Sequence, residues 1–178
     1  MFRQNSDTST LPYALNAIPG KIFAVNYDLG RFGYAYNDKD NERIIIENQQ
    51  RTASNKGGMY RNDGVDIINC TDLPEHSTRF VVLYIERGEW PKYTINIQTE
   101  DKYTIKTRLK PTKNNGKFRI EFLNSNQKVT VSVLKSRKTG WKTLKSGSVK
   151  LKKGLEIMKI YFETDGMDAN YIELIVSK

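Results

Sequence analysis

The stretch from Gly140 onward constrains the fold more than any other part of the chain. Gly140-Trp141, Val149-Lys150-Leu151-Lys152, Leu155-Glu156-Ile157-Met158-Lys159-Ile160-Tyr161-Phe162 and Asn170-Tyr171-Ile172-Glu173-Leu174 follow one another across short polar gaps. Apolar and polar residues alternating at period two put one face of a strand on a core and the other toward water. This end of the chain is therefore sheet. Trp141 and Asn170 fall at strand ends in that pattern, where a rigid sheet can present side chains to a ligand.

The same reasoning predicts strands over 21–27, 43–47, 65–69, 79–85, 93–98, 103–109, 117–123, 128–134, 141–145, 148–152, 156–164 and 170–176. Asn114-Asn115-Gly116, Asn124-Ser125-Asn126, Lys153-Gly154 and Asp165-Gly166 separate them with residues that favour chain reversal. No convincing amphipathic helix and no long repeat interrupts the series, which describes an all-β antiparallel sandwich. The polar stretch 48–58 is expected to be a long loop, a kind of segment that often carries function.

At 178 residues the chain suits one compact domain. Its 38% hydrophobic and 28% charged residues place it clear of disordered sequences. No apolar run approaches the roughly 18 residues a membrane helix needs, so no membrane partner is expected. Residues 1–17 are read as a linker or expression remnant and 18–178 as the domain. Met1 to Asn16 lacks the basic start and apolar core of a secretory signal. Cys70 is the only cysteine, which excludes an internal disulfide and fits a half-buried strand thiol.

The net charge is +9 and unevenly spread. Lys135, Arg137, Lys138, Lys142, Lys145, Lys150, Lys152 and Lys153 form a basic block over 135–153 without an acid. Such a block creates a field that attracts nucleic acid, an anionic polysaccharide or an anionic surface. Lysine alternating with Val149 and Leu151 also describes an ordinary exposed sheet face or a protected edge strand.

Catalytic signatures are sparse. Glycoside hydrolysis needs two acids across the scissile bond, and Glu86/Glu89 and Asp165/Asp168 are near neighbours, but neither pair sits in a glycosidase-like signature. His76, the sole histidine, lies in a polar loop away from any nucleophile motif or metal-ligand spacing and is expected in solvent. No phosphate-cradling glycine loop precedes a helix.

A set of short motifs in order points further. Ile18-Pro19-Gly20-Lys21-Ile22, Tyr27-Asp28, Tyr36-Asn37-Asp38, Tyr60-Arg61-Asn62-Asp63-Gly64-Val65-Asp66-Ile67, Tyr84-Ile85, Gly88-Glu89-Trp90, Tyr93-Thr94-Ile95-Asn96-Ile97, Gly140-Trp141, Gly154-Leu155 and Asn170-Tyr171-Ile172-Glu173 run from Ile18 to the C-terminus. Together they resemble a family 6 carbohydrate-binding module, a jelly-roll β-sandwich. The variant around Tyr60 to Ile67 is similar to modules attached to enzymes that degrade agars and β-1,3-glucans. The resemblance implies a non-catalytic module that holds a linked glycoside hydrolase on a polysaccharide. It implies an extracellular or cell-surface setting, a monomer, and a linked catalytic domain as partner.

In such modules two aromatics grip a sugar ring and an Asn bonds its hydroxyls. The resemblance places these roles on Tyr84, Trp141 and Asn170, with Trp90 on a possible secondary cleft. The chemistry suits them: a flat ring packs on the apolar face of a pyranose, and an amide both donates to and accepts from hydroxyls. Each also has a plainer reading, Trp141 as a cap on the core, Tyr84 as strand packing, Asn170 as a partner for backbone groups in the turn after Asp168.

Two departures matter. Family members commonly hold a structural calcium with a Glu-Ala-Glu in the first strand, where this chain has Phe23-Ala24-Val25. Hydrocarbon side chains offer no hard oxygen, so no cofactor is expected. Ile68 also follows Val-Asp-Ile where many relatives carry an acid that reaches the cleft. A neutral β-glycan, laminarin-type β-1,3-glucan or agar-type galactan, is the first expected ligand. An anionic, sulfated polysaccharide bound through 135–153 is the alternative, ahead of single-stranded nucleic acid stacked along a basic groove and of a catalytic glycosidase domain.

Overall fold

The computed structural model describes residues 8–39, 60–61, 63–112, 115–134 and 140–178. The strand expected over 43–47, the loop 48–58, and Lys135, Arg137 and Lys138 of the basic block lie outside the described residues. Twelve strands are present: β1 (Asn16–Ile18), β2 (Gly20–Phe23), β3 (Tyr36–Asn37), β4 (Ile67–Asn69), β5 (Phe80–Ile85), β6 (Trp90–Ile97), β7 (Asp101–Pro111), β8 (Gly116–Phe122), β9 (Gln127–Val133), β10 (Lys142–Leu151), β11 (Gly154–Phe162) and β12 (Met167–Val176).

They form two facing sheets. The first runs β1-β6-β11-β8-β9, with β3 also on β6; the second runs β10-β7-β12-β5-β4, with β2 also on β12. Every pairing is antiparallel except β1 on β6. The all-β sandwich expected from alternation is thus the fold. Tyr93, Ile95, Met158, Ile160, Ile120 and Phe122 of the first sheet meet Tyr103, Ile105, Ile172, Leu174, Ile22 and Ile85 of the second in one buried core. Each such side chain contributes about 1.5–3 kcal/mol by leaving water.

Three local departures from regular pairing shape the surface. The strands expected over 141–145 and 148–152 are one strand, β10, with a bulge between Lys145 and Gly147. There the extra residue, Ser146, turns inward, and its hydroxyl meets that of Thr107 at 2.7 Å. Gly147 has φ +141°, and a Cβ on it would come within 2.5 Å of Val129 Cγ1 on β9. Only glycine fits this point, where the two sheets close at their edges. The other two bulges lie in β5 and β12.

The chain ahead of the expected domain start belongs to the sandwich. Asn16, Ala17 and Ile18 pair with Ile95, Asn96 and Ile97. Leu11 exchanges main-chain hydrogen bonds with Leu29, and the Arg61 guanidinium lies 4.7 Å from the Tyr13 ring centroid. The boundary expected between 17 and 18 therefore runs through β1.

Candidate functional site

An open cleft of about 700 Å³ lies where the second sheet ends, a size that suits a ligand of several rings. Trp141 reaches it from the start of β10, Lys110 from the end of β7, Asp168 from the start of β12, Tyr84 from the end of β5 and Ile68 from β4. Neighbouring strands stand ~4.8 Å apart, so the three steps from β10 to β5 separate the strands flanking the cleft by about 14 Å.

The bulge in β5 creates the exposed position of Tyr84. Met167 pairs with Ile85 and Ala169 with Val82, so β12 uses one residue, Asp168, where β5 uses two, Leu83 and Tyr84. Tyr84 takes up the mismatch at φ +53°, in the left-handed region. The residue is 57% exposed while Val81, Val82, Leu83 and Ile85 are buried. Holding a non-glycine residue there costs about 1–2 kcal/mol, and the neighbourhood fixes it: the Tyr84 N–H donates to the Asp168 carboxylate. Lys110 Nζ lies 3.7 Å from Oδ2 of that carboxylate. Burial raises the Asp168 pKa against the pull of Lys110 and the Tyr84 N–H.

The rest of the lining is acidic. Asp38, Asp66, Glu86, Glu89, Asp165 and Asp168 face the cleft with Lys110 as the one cation among its described residues. Among the described residues no group of three or more His, Cys, Asp or Glu is placed to hold a metal ion. Both carboxylate pairs noted in the sequence line the cleft, and they hold the loops together. Glu89 accepts the N–H of Glu86 at 2.9 Å and of Lys39 at 3.2 Å, while Asp165 accepts that of Arg87 at 2.6 Å. Burial, reinforced by Glu86 and Asp66, pushes the Glu89 carboxyl up to about 7 against its main-chain hydrogen bonds.

Of the residues expected to act together, the structure joins Tyr84 and Trp141 and sets Asn170 apart. Ala169 pairs with Leu109 and Tyr171 with Arg108, leaving Asn170 as the extra residue of a β12 bulge. It is fully buried. Its amide donates to the Asp72 main-chain oxygen at 3.0 Å and to Asp72 Oδ2 at 2.7 Å, and its own Oδ1 is buried without a partner among the described residues. Arg108 forks onto the same Asp72 carboxylate, at 2.9 and 2.5 Å, and these hydrogen bonds hold its pKa below the usual range. The loop after β4 thus roofs Asn170.

Trp90 lies on the outward face of the first sheet, half-buried, with Lys159 Nζ 4.3 Å and Lys92 Nζ 5.4 Å from its ring centroid. His76 is solvent-exposed beside Glu75. Ile68 is partly exposed in the cleft lining. Phe23 and Val25 are buried in the core. Nearby, Arg61 donates to the main-chain oxygens of Tyr27 and, at 3.2 Å, of Asp28, and pairs with Asp63 at 3.0 Å.

Asp168, Lys110 and Glu89 were not among the expected ligand residues. The signal for the first two is cross-strand: Asp168 pairs with Lys110 only once β7 and β12 are in register.

Comparisons with known proteins agree with this geometry. The family model described as carbohydrate binding module (family 6) matches residues 58–175. Among solved structures, the third family 6 module of a Clostridium stercorarium protein, in complex with cellobiose, superposes with a TM-score of 0.57 at 14% identity, over 92% of this chain and 98% of that one. A module of Cellvibrio mixtus lichenase 5A, in complex with cellotriose, gives 0.53 at 21% identity, over 67% and 92%. The C-terminal family 6 module of a marine laminarinase from Zobellia galactanivorans gives 0.51 at 22% identity, over 62% and 86%. These likenesses establish the shared sandwich. No curated protein matches the chain.

Proposed function

Since the chain belongs to family 6 of the carbohydrate-binding modules, and so is a non-catalytic binding module, we propose that its cleft between Tyr84 and Trp141 binds a neutral β-glycan. A laminarin-type β-1,3-glucan or an agar-type galactan is the ligand class. The observation that carries this reading is the pairing of two aromatic walls with an acid-lined floor. Rings supply flat apolar area for the C–H face of a pyranose, and carboxylates accept hydrogen bonds from its hydroxyls.

The same floor argues against a polyanion here. Even with Glu89 holding its proton up to about pH 7, five carboxylates stand against one ammonium and repel sulfate or phosphate at short range. The described lysines of the basic block do not reverse that: Lys142, Lys145 and Lys150 lie along β10, the last described strand on that side of the second sheet, where lysine discourages strand-to-strand pairing.

The module acts by effective concentration, keeping a linked glycoside hydrolase on its polysaccharide in an extracellular or cell-surface setting. It works as a monomer and without the first-strand calcium. Support for the last point is the burial of Phe23 and Val25 and the engagement of the Tyr27 and Asp28 carbonyls by Arg61. Asn170 bonds Asp72 in this structure, so a role for its amide on the sugar requires that loop to lift.

Affinity electrophoresis in laminarin, agarose and xylan tests the reading. Laminarin or agarose is expected to retard the protein with little dependence on salt, and Trp141→Ala to weaken binding by about 2 kcal/mol, roughly thirtyfold. Trp90→Ala is expected to leave it unchanged. Unaltered migration in all three gels, or full retention by Trp141→Ala, overturns the assignment.

A further inference from the structure

The outward face of the second sheet carries a charge pattern of its own. β10 pairs with β7 so that Lys150 stands opposite Lys102, Ser148 opposite Thr104 and Lys145 opposite Lys106. Val149 and Tyr103 between them are buried, so these six side chains share the face turned to solvent. The bulge completes the array. Unbroken pairing would set Ser146 opposite Lys106, and the extra residue puts Lys145 there instead. Two pairs of lysines result, with a pair of hydroxyls between them.

Edge protection accounts for only one row of this array. Lysine on β10 discourages pairing at that side of the sheet, but Lys102 and Lys106 belong to β7, which is enclosed by β10 and β12. Like charges directly opposite one another are destabilising, and counter-charge is scarce. Lys106 Nζ lies 3.9 Å from Glu173, while Lys102, Lys145 and Lys150 form no ion pair among the described residues. Folding therefore does not call for the array. Lys150 also lines an open concavity of about 590 Å³ beside Lys152 and Lys153. The acids there are Glu100 and Glu156. Glu156 is buried and spends its carboxylate on the N–H groups of Asn124, Ser125 and Ile157, which leaves Glu100 against three ammonium groups.

We propose that this lysine array and the concavity at its end form a track for an anionic polysaccharide, apart from the cleft. Spacing and chemistry select that class. Lys106 lies four residues along β7 from Lys102, about 13 Å at ~3.3 Å per residue, and Thr104 and Ser148 fill the interval with hydroxyls that both donate and accept. The track therefore matches charges set apart along a chain with hydroxyls between them, as sulfate esters or carboxylates are carried on a glycan. A DNA strand carries a charge about every 3.4 Å, and single strands bind largely by stacking bases on aromatic rings; the array holds no aromatic residue. The concavity admits a chain, whereas a lipid surface stays outside it. The track rests on reading the chain as glycan-binding, but on none of the cleft residues.

The test uses κ-carrageenan, the same galactan after chemical desulfation, polygalacturonate, oligo-dT, phosphatidylserine vesicles and laminarin as probes. Wild type is compared with Lys102→Gln/Lys150→Gln, with Trp141→Ala, and with Lys92→Gln/Lys159→Gln, which loses the same charge on the other sheet. Wild type is expected to bind κ-carrageenan, polygalacturonate or both in a salt-sensitive way. Binding lost on desulfation identifies sulfate as the anion, and binding of polygalacturonate identifies carboxylate. Lys102→Gln/Lys150→Gln is expected to lose about tenfold in affinity for that polymer and to keep its laminarin binding, while Trp141→Ala does the reverse and the first-sheet variant keeps both. A thermal midpoint of Lys102→Gln/Lys150→Gln at or above that of wild type would show that it folds, because it removes a repulsive pair.

Affinity for the anionic polymer unchanged in Lys102→Gln/Lys150→Gln, or lowered equally in the first-sheet variant, overturns the proposal. So does κ-carrageenan binding undiminished by desulfation with no binding of polygalacturonate, and so does binding of oligo-dT or the vesicles as strong as that of the anionic polysaccharide. Failure of laminarin binding alone removes the cleft assignment and leaves the lysine track standing, whereas binding of oligo-dT and of no polysaccharide removes both.

Discussion

The cleft and the outward face of the first sheet are built from the same materials and end with opposite electrostatics. Each joins aromatic rings to charged residues on adjoining strands. In the cleft the charges are carboxylates around Lys110, and Tyr84 stands exposed. On the face they are Lys92, Lys159 and Arg119, lying over the rings of Trp90 and Tyr161. An aromatic side chain near a strand end therefore says little about its ligand. Its cross-strand neighbours, fixed by topology and register, determine which charges surround it.

Protonation should separate the two regions most strongly. The folded protein holds the Glu89 proton up to about pH 7, whereas an unfolded Glu releases it near 4.3. The resulting stabilisation is complete below the unfolded pKa, drains away as pH rises between the two values, and is gone above about 7. Its full size is up to about 4 kcal/mol. Glu89→Gln is expected to flatten the denaturant-midpoint profile between pH 5 and 7; a profile as steep as that of wild type would show that Glu89 is not the group responsible.

A smaller effect tests the strain on the cleft side. Tyr84→Asn keeps a residue that tolerates the left-handed region. It should raise stability by about 0.5 kcal/mol in urea unfolding while lowering laminarin affinity. Loss of stability instead would mean that the ring contributes packing as well as exposure. On the face, Lys159→Gln should raise stability by only ~0.3 kcal/mol, and less in high salt, because it removes a screened like-charge contact with Lys92, directly opposite on β6. A destabilised variant would show that the Lys159 stem packing on Trp90 outweighs the repulsion.

Much of the scaffold is legible in alternation alone. Period-two runs from Tyr93, Tyr103, Lys117 and Glu156 onward each fall on an observed strand, overrunning its end by two residues at most, because burial on one face forces that pattern. The short β1 and β3 escape notice, since three or two residues leave no period to count. The site is less legible, and the reason is the bulges. One extra residue in β5 turns Tyr84 outward, and one in β12 turns Asn170 under Asp72. Nothing in Leu83-Tyr84-Ile85 or Ala169-Asn170-Tyr171 distinguishes these outcomes before the partner strand's register is known. Trp141 shows from its place after Gly140, whereas the Asp168–Lys110 pair joins residues remote in the chain.

The lysine-bearing rim of β10 has a consequence for crowding. Molecules gathered on a polymer gel sit at high local density, where an unpaired strand invites a neighbour to extend the sheet. Lys145 and Lys150 project from that rim, so two copies brought edge to edge would press ammonium against ammonium. Such repulsion disfavours edge-to-edge association of crowded copies.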